Sequence, residues 1–483
     1  MVQFNSSNKV LRSGLLAVAV TTFITLLFFL ARSERVSASV SLLKLGSHTT
    51  PQCSSPAEKD TANATVPSIV TVTVEPTPSA TPTTVRSILP PKQGNPALLN
   101  VAPYYVKAMF DPNDNTFQKL DCPLTTSISK RYAYLQTAPA TPSRPKYFFA
   151  LDLYQVAHAL PQLIGSIMQA IIFLGPHNCA LSIVEGRSTD GTYEVLRSLA
   201  PQLEDLGVPY FLQLSDLSPQ RQNPERIVLL AELRNLALRD LYEHPSDYAD
   251  DTTIIFSNDV YICTEDILEI VHQQHFQNAH MTCGMDWANG TNPETPRLYD
   301  TWIARSMTGD TFYKDMMDWD KGFFPDHPPT RQRWSRYLPV QVFSCWNGIV
   351  ALTAKPFMDG TMRFRGVDGL EREKVNEECY QGEPNLLTKD MWYLGYNRIA
   401  TLPTITTAYD YWDAHNAREA RGSVGLHVLL QNGTAEEKIR WQEKPPSKFH
   451  CIPAGRDSEW VPWDQNCAAI YGARRNVTQK LAP

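Results

Sequence analysis

The 483-residue sequence contains no G-x-G-x-x-G, no G-x-S-x-G and no C-x-x-C. It therefore lacks the short signatures of a dinucleotide loop, a serine-hydrolase elbow and a dithiol or zinc site. Charge is also scarce, at 19% of residues, and divides into 44 Lys and Arg against 50 Asp and Glu. No basic surface stands out, so nucleic acid is not an expected partner. No internal repeat is visible. What the chain does have is length for a large core and for more than one domain.

Ser13 to Ala31 is an uncharged, mostly apolar run between Arg12 and Arg32, about long enough to cross a bilayer. It reads as a signal anchor with residues 1–12 as a cytosolic tail; flanking charges barely favour one orientation. Val36-Ser37-Ala38 resembles a small-residue cleavage site, so a cleaved signal peptide is the alternative. Either way the bulk of the chain is expected in the secretory lumen. N-glycan acceptor tripeptides begin at Asn63, Asn289, Asn432 and Asn476, all after the apolar run. Nine cysteines allow disulfides there, with at least one left over. Cys451 and Cys467 are a plausible local pair.

Residues 32–100 read as a stem. Thr61 to Pro91 is rich in Thr, Pro, Ser and Val, cannot bury a core and suits O-linked sugars. Residues 101–483 read as the luminal domain, with a core over 146–410. Strands are expected at Tyr147–Leu151, Ala180–Val184, Tyr210–Leu214 and Thr252–Phe256, alternating with helices at 160–174, from the 185–192 loop through Leu203, and at 227–241. That alternation predicts an α/β fold, a mostly parallel sheet flanked by helices. A further strand is expected over 280–287, and 339–354 is either a strand pair or one strand broken at Asn347-Gly348.

The fourth strand organises the rest. TTIIF is β-branched, aromatic and uncharged, then stops on Ser257-Asn258-Asp259. A strand that delivers a carboxylate to the carboxyl edge of an open α/β sheet puts it where such sheets bind ligands.

The ordered set VEGRSTDGT (184–192), ELRNLAL (232–238), FSNDVYICTEDIL (256–268), MTCGMDW (281–287), YDTWIAR (299–305), FSCWNGIVAL (343–352) and the Glu378-Cys379 … Asp390-Met391-Trp392 segment resembles nucleotide-sugar glycosyltransferases of the GT-A fold. More closely it resembles the fungal family of the cryptococcal α-1,3-mannosyltransferase and its capsule-associated relatives, over roughly Lys146 to Asp410. The resemblance implies a Rossmann-like GT-A domain on a Golgi-type single-pass anchor, GDP-mannose as donor, a glycan acceptor, retention of configuration, and Mn2+ or Mg2+.

Glycosyl transfer requires a neutralised leaving diphosphate, an oriented sugar and an acceptor hydroxyl brought to the anomeric carbon. A hard divalent cation meets the first need through oxygen ligands. Asp259 is the expected metal ligand, with Asn258 or a water completing the shell. Many such enzymes use two carboxylates one residue apart; Ser257 stands at the partner position, which keeps a non-catalytic glycan-binding or assembly subunit as a rival, beside a transferase using another donor. Arg234, with Asn235 beside it, could meet the diphosphate bidentately. Glu185 and Asp190 are expected near base and ribose, although Asp190-Gly191 is equally an ordinary cap and turn. Asp286 is a candidate for contact with the sugar or acceptor and, with Glu378 and Asp390, for the catalytic carboxylate. Asp300, Arg305, Trp346 and Asn347 are candidate substrate contacts, Trp346 as a stacking face.

Overall fold

The computed structural model describes residues 92–122, 126–136, 144–220, 223, 225–290, 295–313, 322–367, 378–430, 437–453 and 457–472. The N-terminal apolar run, nearly all of the stem, and the acceptors Asn63, Asn432 and Asn476 lie outside them. No helix among the described residues is long and apolar enough to cross a membrane.

A ten-stranded sheet carries the fold: β1 (Tyr147–Leu153), β2 (Cys179–Glu185), β3 (Tyr210–Leu214), β4 (Thr253–Ser257), β5 (Met281–Ala288), β6 (Arg297–Leu298), β7 (Arg305–Ser306), β8 (Val340–Ser344), β9 (Ile349–Thr353) and β10 (Ile399–Thr407). The spatial order is β3-β2-β1-β4-β9-β5-β10-β8-β7, with β6 beside β5. β3, β2, β1 and β4 are mutually parallel, and so are β5 and β10. β9 runs antiparallel between β4 and β5, so those two point the same way. The sheet is thus mixed, with β8 and β7 added antiparallel beyond β10. The 339–354 segment is two strands, as one reading of the sequence had it. They do not pair with each other: β9 inserts between β4 and β5, while β8 lies beyond β10.

Helices cover both faces, as period-2 burial of uniformly apolar strands requires. The main ones are α1 (Pro96–Phe110), α2 (Leu160–Leu174), α3 (Arg226–Ala237), α4 (Thr264–Phe276), α5 (Glu383–Leu394) and α6 (Tyr411–Arg421). Phe149 and Leu151 of β1 point into one apolar cluster with Leu163, Ile164 and Ile167 of α2. Phe148 and Ala150 point into the other, with Leu233 and Ala237 of α3. α1 lies against α2 so closely that a Cβ on Gly165 would sit 3.3 Å from the Met109 carbonyl oxygen. α1 begins at Pro96, capped by the Asn95 side chain, so the folded region reaches back into residues the composition had assigned to the stem.

Other expectations shift locally. The single helix expected over 227–241 is two, interrupted at Leu238, whose N–H bonds the Arg234 and Asn235 carbonyls at the end of α3. β10 was not foreseen; its Pro403 and run of threonines hide a strand buried along nearly its whole length. Past Tyr409, α6 docks through Arg418, which holds both Glu265 and Asp266 at the start of α4. Three disulfides join Cys122 to Cys263, Cys283 to Cys345 and Cys379 to Cys451. This corrects the expected Cys451–Cys467 pair. Cys451 lies on the hairpin strand Lys448–Cys451, which faces Cys379, and Cys467 is a buried free thiol.

Candidate active site

β1, β2, β4, β5 and β10 all end at one edge, and β9 begins there. The topology therefore gathers Asp152, Glu185, Asn258-Asp259, Asp286, Trp346-Asn347-Gly348 and Tyr409 along a single rim. Gly348, at φ +90°, makes the junction possible: a Cβ there would lie 2.3 Å from the Thr407 hydroxyl oxygen.

Asn258 is the knot. Its N–H donates to the Gly348 carbonyl at 2.8 Å, and its Nδ2 donates to the Tyr409 hydroxyl at 2.8 Å. Its Oδ1 accepts from Trp346 Nε1 at 3.0 Å and from Arg234 Nη1 at 3.5 Å. The amide is fully employed in tying β4, β9 and β10 together, which leaves Asp259, half-buried, as the group the strand presents.

Arg234 comes from α3 and is buried. Its Nε donates to Glu383 Oε1 at 2.8 Å, at the start of α5. Its guanidinium lies 4.2 Å over the Trp346 ring and 5.1 Å over Phe256. Burial pulls its pKa down, but Glu383 and Asp152 outweigh that and hold it above the usual value. Asp259 is raised by burial, and Asp152 is raised to about 6 by burial and by the charges of Asp259 and Glu383, against the pull of Arg234. Three carboxylates thus surround one guanidinium.

A second acidic pair lies beside them. Asp286, fully buried, accepts from Asn347 Nδ2 at 2.7 Å and from the Asp300 N–H at 3.2 Å through Oδ1, while Oδ2 has no partner among the described residues. Burial, then the Asp300 charge, holds Asp286 up to about 7. Asp300 Oδ1 caps the N–H groups of Trp302 and Ile303. The buried Tyr409 hydroxyl feels Asp286, Asp300 and Asp259 together, which places both acidic groups around one phenol.

A family model described as cryptococcal mannosyltransferase 1 matches residues 146–390. Alpha-1,3-mannosyltransferase CMT1 of Cryptococcus neoformans var. neoformans serotype D is 32% identical over 371 residues, spanning 71% of this chain and 77% of its own length. The chain belongs to the cryptococcal mannosyltransferase family, and it is a glycosyltransferase. Two solved structures are looser likenesses. The mannosyltransferase PcManGT from Pyrobaculum calidifontis, solved with GDP-Man and Mn2+, has a TM-score of 0.32 and 14% identity, covering 72% of this chain and 78% of its own. S. aureus TarS 1–349 has a TM-score of 0.32 and 14% identity, covering 55% and 60%.

In this mannosyltransferase-family chain, the other residues singled out from sequence have different employments. Glu185 accepts from the Arg187 and Ser188 N–H groups and so shapes the loop after β2. Asp190 caps Thr192 and bonds the Ala157 N–H, the cap-and-turn reading. Asn235 clamps the Phe364 backbone in both directions. Arg305 is wholly buried and donates to the carbonyls of His450, Thr301 and Ala304, so its guanidinium is engaged with backbone. The Trp346 face is covered by Arg234, so it offers no stacking surface. Glu378 and Asp390 are both gripped by Arg365, Glu378 also by Lys389, and Asp390 also by the Tyr471 hydroxyl at 2.8 Å. Carboxylates held this way cannot readily take a proton from an acceptor, which turns the expectation for these two from catalysis towards stability.

Three rim residues were missed. Asp152 was legible: YFFAL runs straight into Asp152, the same apolar strand-to-acid signal used for Asp259. Glu383 and Tyr409 carry no local signal, because only the packing of α5 and β10 brings them in.

Proposed function

We propose that the transferase moves an α-mannosyl residue from GDP-mannose to a mannose-containing glycan, in an α-1,3 linkage with retention, with a divalent cation, on a GT-A-type domain in the Golgi lumen behind an N-terminal anchor. The family match over 146–390 carries the sugar. The three disulfides support an oxidising lumen.

The rim's donor set fits a hard cation. Asp259 and Asp152 are oxygen donors whose charges are left uncompensated by a single guanidinium, and a divalent ion would relieve both. Among the described residues no group of three or more His, Cys, Asp or Glu side chains gathers as a complete site. Asp259, seconded by Asp152, would hold the ion, with donor oxygens and water completing the shell. When bound, it would neutralise charge developing on the leaving diphosphate. Arg234, its side chain held on Glu383 and Trp346, adds a fixed positive charge at the same place. Asp286, with one oxygen held by Asn347 and the other buried without a partner among the described residues, lies beneath the rim beside them.

The test uses the full-length chain with GDP-mannose, GDP-glucose and UDP-sugars, a mannobiose acceptor, and Mn2+ or EDTA. Metal-dependent turnover of GDP-mannose to a longer glycan is expected, and Asp259→Asn is expected to reduce it more than 100-fold without lowering Tm. Full activity of Asp259→Asn would sink the metal role; turnover of UDP-sugars alone would sink the donor.

A further inference from the structure

We propose that Tyr299 and Trp412 form the platform on which the acceptor glycan lies, an aromatic subsite at the outer end of the rim. The proposal rests on the glycosyl-transfer reading above and adds the place and chemistry of the acceptor. Large aromatic side chains are normally buried, yet Tyr299 is 49% and Trp412 57% exposed. Both are anchored to the rim. The Tyr299 N–H donates to the Asp286 carbonyl at 2.9 Å, and its ring lies 4.9 Å from that of Tyr409. Trp412 stands three residues beyond Tyr409, in the first turn of α6. Asp410 caps that turn by accepting the Trp412 N–H at 2.8 Å. Asp413 ties it to the end of β5 by accepting the Asn289 N–H at 3.1 Å. Tyr411 packs edge-on against the Trp412 indole at 5.0 Å, so the ring is braced while remaining open to solvent.

The surroundings select a sugar over an apolar partner. Beside Trp412 lie Asp410, Asp413 and Asn416, carboxylates and an amide able to meet sugar hydroxyls. A protein-docking patch would instead continue into exposed aliphatic residues. Leu426, Leu429 and Leu430 are such residues, and they belong to the next helix, Val424–Leu430, not to the first turn of α6. A pyranose offers an apolar face to stack and a ring of hydroxyls, which is the complement of two aromatic rings set among oxygen acceptors. An acceptor lying on Tyr299 would extend towards Asp286 and the Tyr409 hydroxyl, where the donor sugar must be.

The experiment titrates mannobiose into full-length wild type, Tyr299→Ala, Trp412→Ala and Trp412→Phe by calorimetry. GDP-mannose hydrolysis without acceptor and Tm are measured on the same samples. Each Ala variant is expected to weaken mannobiose binding about tenfold. Hydrolysis and Tm should be unchanged, and Trp412→Phe should recover most of the affinity. Equal affinity across the variants, or no mannobiose binding by wild type, would overturn the platform. So would a loss of affinity that tracks a lowered Tm. Absence of GDP-mannose hydrolysis in wild type would count against the donor reading alone, because the titration needs no donor.

Discussion

Removing the carboxylate beneath Arg234 should separate what holds the rim together from what it does. The Arg234–Glu383 side chains are 7% and 3% exposed, with Nε to Oε1 at 2.8 Å. Glu383→Gln leaves a buried guanidinium with no hydrogen-bonded carboxylate and only the charges of Asp152 and Asp259 near it, and breaking one side of such a pair costs about 3–5 kcal/mol. With an unfolding entropy of about 2.1 cal/mol/K per residue, a folded region of this size shifts its midpoint by roughly 1 °C per kcal/mol, so Tm should fall by about 3–5 °C. Arg234→Met should fall as far, because Glu383 is then the unpaired charge. The double variant should recover about 2 kcal/mol or more relative to the sum of the singles, since the two residues are in direct contact and replacing both removes the stranded charge. Activity should not follow: Arg234→Met and the double variant should both lose GDP-mannose turnover, about 100-fold, because the guanidinium itself is gone. Differential scanning calorimetry and initial rates read the two outcomes. A double variant whose Tm loss equals the sum of the singles would refute the coupling. A double variant with wild-type turnover would refute a role for Arg234 at the donor.

The buried acids give a pH dependence of definite sign. Asp286 is held up to about 7 in the folded chain, chiefly by burial. The folded state therefore binds a proton that the unfolded state has released, from about pH 4 up to about 7, and its contribution to stability falls across that window and is flat above it. Asp286→Asn should flatten the difference between Tm at pH 5 and pH 8 relative to wild type; an unchanged difference would refute the burial argument. Glu378→Gln and Asp390→Asn should each lower Tm by a few degrees, because one carboxylate then faces both Arg365 and Lys389, while kcat stays within about twofold. A collapse of kcat with Tm intact would return them to the catalytic role. Alkylation before reduction, followed by peptide mass mapping, should find Cys379 joined to Cys451 and Cys467 alkylated only after unfolding. A Cys451–Cys467 peptide would contradict the fold of the C-terminal hairpin.

The family, the strand-helix alternation and the place of Ser257-Asn258-Asp259 at the end of β4 were legible because they are local. β1, β2 and β4 are uniformly apolar runs that must be buried on both faces, and each stops where short polar residues turn the chain. α2 could be bounded from its apolar run and the Gly175-Pro176 stop. What tertiary structure alone decided was the use of each polar side chain. Arg234 became a buried pair on Glu383 because α5 packs beside α3. Trp346, an apparent sugar platform, is instead the surface on which that guanidinium rests. Glu378 and Asp390, twelve residues apart, are drawn together by Arg365 rather than by substrate. The insertion of antiparallel β9 between β4 and β5 was equally invisible, since strand order depends on long-range pairing that no window of sequence contains. A carboxylate's position on a strand is a property of the chain. Its partner, its protonation and its exposure belong to whatever the fold places against it.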